Sequence, residues 1–116
     1  MSSRFHNAWL RVGCALCAAV LALGCGSLRG ARLYQSGTSA LDRGDSVEAI
    51  ARLERAANLL PAASEVQNHL GLAYQAAGRD LDAELAFRRA VDLDCGNAAA
   101  LENLRVAESR ARKEWP

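Results

Sequence analysis

Four cysteines and two histidines are the side chains of this sequence best equipped to ligate a metal or attack a carbonyl. Their spacing builds no site. His6 and Cys14 and Cys17 fall in an N-terminal stretch that reads as a removable segment, and His69 could meet Cys95 only if the fold joined them, so no ligand set of zinc type is formed. The run Asp92-Leu93-Asp94-Cys95-Gly96-Asn97 superficially has the composition of a calcium loop. Its glycine, however, stands fifth where the sixth place is required, and the twelfth place holds Asn103 where glutamate is needed. It reads as the end of a helix and a turn. There is no Gly-x-Ser-x-Gly, no phosphate-binding glycine loop and no Cys/His pair at catalytic spacing. The sequence therefore implies no catalytic residue, no metal and no cofactor, and the expectation is that the protein is not an enzyme.

Composition narrows the classes further. Apolar residues make up 51% of 116 residues while aromatics make up 5%, so a core must be assembled from alanine and leucine on closely approaching helices. No alternating run of Val, Ile, Thr and aromatics signals a strand, and the fold class expected is all-α. A formal charge of +1 with both signs interspersed gives no basic stripe for nucleic acid and no polybasic membrane patch.

One cysteine remains of chemical interest. Arg4 and Arg11 precede an apolar run of twelve residues, VGCALCAAVLAL, which is followed by Gly24-Cys25-Gly26-Ser27. A charged start, a short apolar middle and a small-residue end form the plan of an export signal. As a helix the apolar run would span roughly 18 Å, short of the ~30 Å hydrocarbon core, which disfavours a retained membrane anchor. The sequence LALGC, Leu21 to Cys25, resembles the lipobox of bacterial lipoproteins. That resemblance implies diacylglycerol on the Cys25 thiol, acylation of its freed amine, and a lipid-anchored protein of the bacterial envelope. Gly26 rather than aspartate after the cysteine resembles the outer-membrane sorting pattern, which implies the outer membrane, facing the periplasm. Ala22 stands where the family prefers leucine, and Ala22-Leu23-Gly24 also suits ordinary signal peptidase, which would leave Cys25 unmodified. With the signal removed, Cys95 is the one remaining unmodified thiol. No intramolecular disulfide can then form, and Cys95 is expected to be a buried, inert residue at a helix end.

Shifting the chain by 34 residues superimposes Gly37 on Gly71, Gly44 on Gly78, Ala49 on Ala83, Arg55 on Arg89, Ala56 on Ala90 and Leu59 on Leu93. Leu70, Gly71, Tyr74, Ala83, Phe87 and Ala90, with Cys95 where proline is usual, resemble the tetratricopeptide repeat over residues 64–97. Residues 30–63 are a degenerate copy carrying Gly37, Ala49, Leu53, Ala56 and Pro61, with Ser36 and Ala40 in place of larger residues. The resemblance implies an α-α superhelix of two helix-turn-helix units. The organisation expected is a signal over 1–24, a linker over 25–29, repeats over 30–63 and 64–97, and a C-terminal capping helix over 98–116. In that reading Gly71 and Ala83 are small because paired helices cross there, at 8–10 Å between axes. Leu59 and Leu93 are expected to face the seam between units. Arg105 occupies the position of Gly37 and Gly71 and turns that face to water.

Helix chemistry sets the boundaries near 31–43, 46–60, 64–77, 80–94 and 98–113. Asp45 with Glu48, Ser64 with Gln67, Asp80 and Asn97 are the expected N-terminal caps, and Gly78 is suited to the left-handed position after a helix.

For function, the resemblance implies a concave face lined by the first helix of each unit. Tyr34, Thr38 and Leu41 from one, Asn68, Leu72 and Gln75 from the next and Val106 from the cap would meet an extended or helical protein segment. Related lipoproteins support pilus assembly, secretion or outer-membrane assembly. The lysine, arginine and asparagine set that grips a terminal carboxylate in some relatives is represented only by Asn68, so carboxylate capture is not implied. Two units and a cap make a short array, and self-association into a homo-oligomer, as a structural envelope subunit without a client, is the alternative.

Overall fold

The computed structural model describes residues 24–114, which are all-helical with no strand among the described residues. α1 occupies 24–42, and it is followed by α2 (Ser46–Leu59), α3 (Ser64–Ala76), α4 (Asp80–Leu93) and α5 (Ala98–Glu114). Four of the five expected helices agree to within a residue at each end. The first begins further upstream, so residues 25–29, expected as a linker, continue α1. The expected signal segment, Gly24 apart, lies outside the described residues.

Each helix folds back along its predecessor. A Cβ added to Gly30 would lie 2.6 Å from Leu60 Cγ, and one added to Gly37 would lie 2.7 Å from Leu53 Cγ, so α1 and α2 approach closely with opposite chain direction. The same arrangement recurs 34 residues on. A Cβ at Gly71 would lie 2.5 Å from Phe87 Cε1, while Ser64 at the start of α3 donates its hydroxyl to the Ala90 carbonyl near the end of α4, at 2.8 Å. The small residues thus mark where backbone meets a large apolar side chain. Leu53 and Phe87, equivalent by the shift, are the largest fully buried side chains among the described residues.

Around these contacts the core is alanine-rich. Ala40, Ala49, Leu53, Leu70 and Ala73 form one buried cluster, Leu33, Ala56 and Val66 a second, and Ala83, Phe87 and Ala107 a third. Turns follow the same recurrence: Gly44 at φ 78° and Gly78 at φ 73° take the left-handed conformation that closes α1 and α3.

Four expectations require correction. Ser64 is the first residue of α3, after an Ala63 cap that makes no side-chain bond, because its hydroxyl is engaged across the helix pair by Ala90; Gln67 completes no capping box. Asp80 likewise lies inside α4, after Arg79, and it is Asp82 that binds Arg79 at 2.7 Å. Leu59 and Leu93, at the ends of α2 and α4, are 38% and 42% exposed and lie outside the seam. Cys95 is exposed in the turn after α4. The Asp45 and Asn97 caps form as expected, with side-chain oxygens accepting from the Glu48 and Ala100 amides at 3.1 Å each.

Gly71→Ala tests the packing directly. Alanine favours the helix by up to ~1 kcal/mol, but overpacking against Phe87 costs ~1–3 kcal/mol, so the thermal midpoint should fall. Gly26→Ala, whose added methyl would meet nothing within 4 Å, should leave the midpoint unchanged or raise it.

Candidate functional site

The face built from α1, α3 and α5 carries the residues singled out from the sequence. Two polar rungs tie it together. Tyr34 on α1 meets His69 on α3, with Oη and Nδ1 3.2 Å apart and the rings edge to face at 5.3 Å and 86°. His69 Nδ1 also lies 2.9 Å from the Glu65 carbonyl. A carbonyl oxygen can only accept, so the proton resides on Nδ1, which donates to Glu65 and to the Tyr34 hydroxyl in a forked bond. The second rung joins Asn103 Nδ2 on α5 to Asn68 Oδ1 on α3 at 2.9 Å. Residues 68 and 103 are 34 positions beyond 34 and 69, so both rungs occupy the same geometric place.

The seven expected groove residues separate on this frame. Asn68 is only 5% exposed and is held by Asn103, which makes it a structural tie between α3 and α5; a group this covered does not offer its amide to a partner. Tyr34 is half-buried and packs on two of the core clusters. Leu41 leans on the Ala40 cluster and Leu72 on the Phe87 cluster, while the Thr38 hydroxyl donates to the Gln35 carbonyl at 3.0 Å. Gln75 and Val106 are half-buried. Thr38, Leu72 and Val106 stand at one 34-residue spacing and form a half-buried row across the three helices. His69 and Asn103, which complete the rungs, were not singled out from the sequence. The 34-residue period pointed to Tyr34 and Asn68 as equivalents, but it does not say which neighbour each would touch.

On the opposite side a second pair of contacts follows the same shift. The Tyr74 hydroxyl donates to Glu54 Oε1 at 2.7 Å, and the Arg79 guanidinium lies 4.5 Å from the Tyr74 ring centre, fixed by Asp82. Thirty-four residues on, Arg88 takes the place of Glu54 and reaches Glu108 at 3.4 Å while also binding Glu84 at 2.7 Å. Burial, and then the hydrogen bond to the Glu54 carboxylate, push the Tyr74 phenol up to about 12. Burial and the nearby Glu65 charge raise Tyr34 as well. Arg105, 70% exposed at its side chain, binds Glu102 on its own helix and holds that carboxyl below the usual range.

Cys25 is exposed on α1. Among the described residues there is no group of three or more His, Cys, Asp or Glu side chains placed to hold a metal, and no helix long and apolar enough to cross a membrane. Clefts of about 310 Å³ and 260 Å³ open between α4 and α5 and between α1 and α2. No protein-family model matches the chain, and no curated protein matches it.

Two measurements check this geometry. Asn68→Ala strands the Asn103 amide and should lower stability by about 1 kcal/mol in a denaturant melt. Tyr74 favours its protonated form in the folded chain. Its contribution to stability is therefore complete below the ordinary tyrosine value near 10 and is lost as pH rises toward about 12. Tyr74→Phe should abolish that alkaline loss and remove the higher tyrosinate transition from the ultraviolet titration.

Proposed function

We propose that this chain is an exported, lipid-anchored helical-repeat scaffold of the bacterial envelope that binds a segment of another protein along the α1–α3–α5 face. The observation that carries this reading is the Thr38–Leu72–Val106 row. It places half-buried groups at equivalent positions of α1, α3 and α5, with Leu41 and Gln75 one helical turn further on and the Tyr34–His69 and Asn68–Asn103 rungs tying the three helices together. Apolar groups with a few amides, on a rigid surface, suit an extended or helical peptide. The 34-residue recurrence of glycine contacts supports a tetratricopeptide-type array of two units with α5 as its cap. The exposed thiol of Cys25, following LALG, supports anchoring through acyl chains, each buried CH₂ of which contributes about 0.8 kcal/mol of membrane affinity.

A photo-crosslinking residue at position 72 or 75, compared with one at exposed position 85 on α4, tests the binding face in intact cells. Adducts to one other protein from 72 and 75, absent from 85 and lost on Val106→Arg, are the expected result. Adducts only to its own chain would replace this reading with a self-associating envelope subunit. The intact mass of the mature chain tests the anchor: cleavage before Cys25 with added diacylglyceryl and acyl mass is expected, and cleavage without it removes the anchor.

A further inference from the structure

We infer that the cleft between α1 and the end of α2 is a binding site for a phosphate group, supplied by an anionic phospholipid headgroup. Arg29 from α1 and Arg55 and Asn58 from α2 line it, with Leu33 and Leu59 as its apolar part. Its volume of about 260 Å³ is roughly nine times the ~30 Å³ share of one water, which is room for a phosphate ester and its first linking atoms. None of its lining residues is acidic. Neither guanidinium has a hydrogen-bond or ion-pair partner among the described residues. Glu54, next to Arg55 in the chain, is turned away and takes the Tyr74 hydroxyl. Two forked guanidinium donors and one amide match the oxygens of a phosphate, and their full charges outweigh the partial negative charge at the end of α2.

The rest of the molecule provides the comparison. Thirty-four residues on, Arg55 becomes Arg89, but Arg29 becomes Ala63 and Asn58 becomes Asp92. The cationic pair is therefore peculiar to the first helix pair and is no requirement of the packing. The cleft between α4 and α5 holds Arg88 already bound to Glu84 and Glu108, so it is neutralised from within. Position selects the source of the phosphate. Arg29 lies one helical turn from Cys25 on the same strip of α1, so acyl chains on that thiol would bring the cleft to the bilayer surface, among headgroups. The lipid source rests on the anchored reading proposed above; the phosphate chemistry does not.

The full chain in a nonionic detergent, titrated calorimetrically with short-chain phosphatidylglycerol, short-chain phosphatidylcholine and inorganic phosphate, tests the site. Saturable binding of phosphatidylglycerol is expected, at least tenfold tighter than phosphatidylcholine and weakened tenfold or more by Arg29→Gln and by Arg55→Gln. Arg89→Gln should bind as the parent does. Both cleft variants replace exposed side chains that have no partner among the described residues, and should melt as the parent does; should one fail to fold, the other carries the comparison. Inorganic phosphate binding as tightly as the lipid, with the same sensitivity to both variants, retains the phosphate site and overturns its lipid source. No saturable binding, or binding indifferent to Arg29 and Arg55, overturns the site. A mature chain without acyl mass removes the anchor and leaves the phosphate titration to be read independently.

Discussion

Phe87 lies so close to the α3 backbone that position 71 has no room for even a methyl group, and Leu53 stands in the same relation to Gly37 on α1. From this contact the remaining structure follows. Bringing a backbone against a large side chain lets helices poor in aromatics exclude water from one another, since a close approach compensates for the small volume of the alanines around it. Ala49, Ala56, Ala83 and Ala90 are accordingly buried to the last few per cent. A leucine-rich core would have set the axes further apart and placed the helices of the α1–α3–α5 face beyond hydrogen-bond reach of each other. The notch and the rung are thus one device, in which the spacing of the axes permits the bonds across the face.

The two sides of the molecule are consequently unlike. Toward α1, α3 and α5, polar side chains bond directly between helices, and the half-buried groups between those bonds have few alternative positions. Toward α2 and α4, apolar residues such as Val47, Leu81 and Leu85 are left in solvent and charge pairs run mostly along single helices. Such pairs contribute little to stability, on the order of 0.3–0.5 kcal/mol each, and the outer side can vary without disturbing the inner one. The binding proposed for the inner side would draw on this order, since side chains already held by bonds between helices have less conformational freedom to lose.

Helix positions were legible in the sequence because they depend on local chemistry and on a repeat. Gly44, Gly78, Asp45 and Asn97 each act within a few residues, and the recurrence of small residues located both helix crossings. What escaped was decided at a distance. Ser64 has the composition of a cap, but the Ala90 carbonyl, 26 residues away, captures its hydroxyl. Asn68 has the right helix and face for a groove residue, yet Asn103 covers and holds it. Leu59 and Leu93 satisfy the repeat pattern, but each is the last residue of its helix, where the chain turns away and leaves the side chain partly in solvent. α1 begins upstream of the expected boundary, and within it Gly30 has to be small to admit Leu60 from the end of α2, a contact that no local signal around residue 30 announces.

The rungs that share a geometric place do not share a composition, and this protects the order in which the helices assemble. A chain of near-identical hairpins can dock one unit out of step, or onto the wrong copy, at little cost. Here such a slip is penalised by charge. If α2 settled against α5 where α3 belongs, Glu54 would confront Glu108 in the position held by the Tyr74 hydroxyl, and Tyr34 would meet the Asn103 amide where the His69 ring belongs. The glycine notches alone would admit the misalignment; the facing Glu54 and Glu108 carboxylates would weigh against it, much as differently cut teeth hinder two similar gears from meshing in the wrong pair.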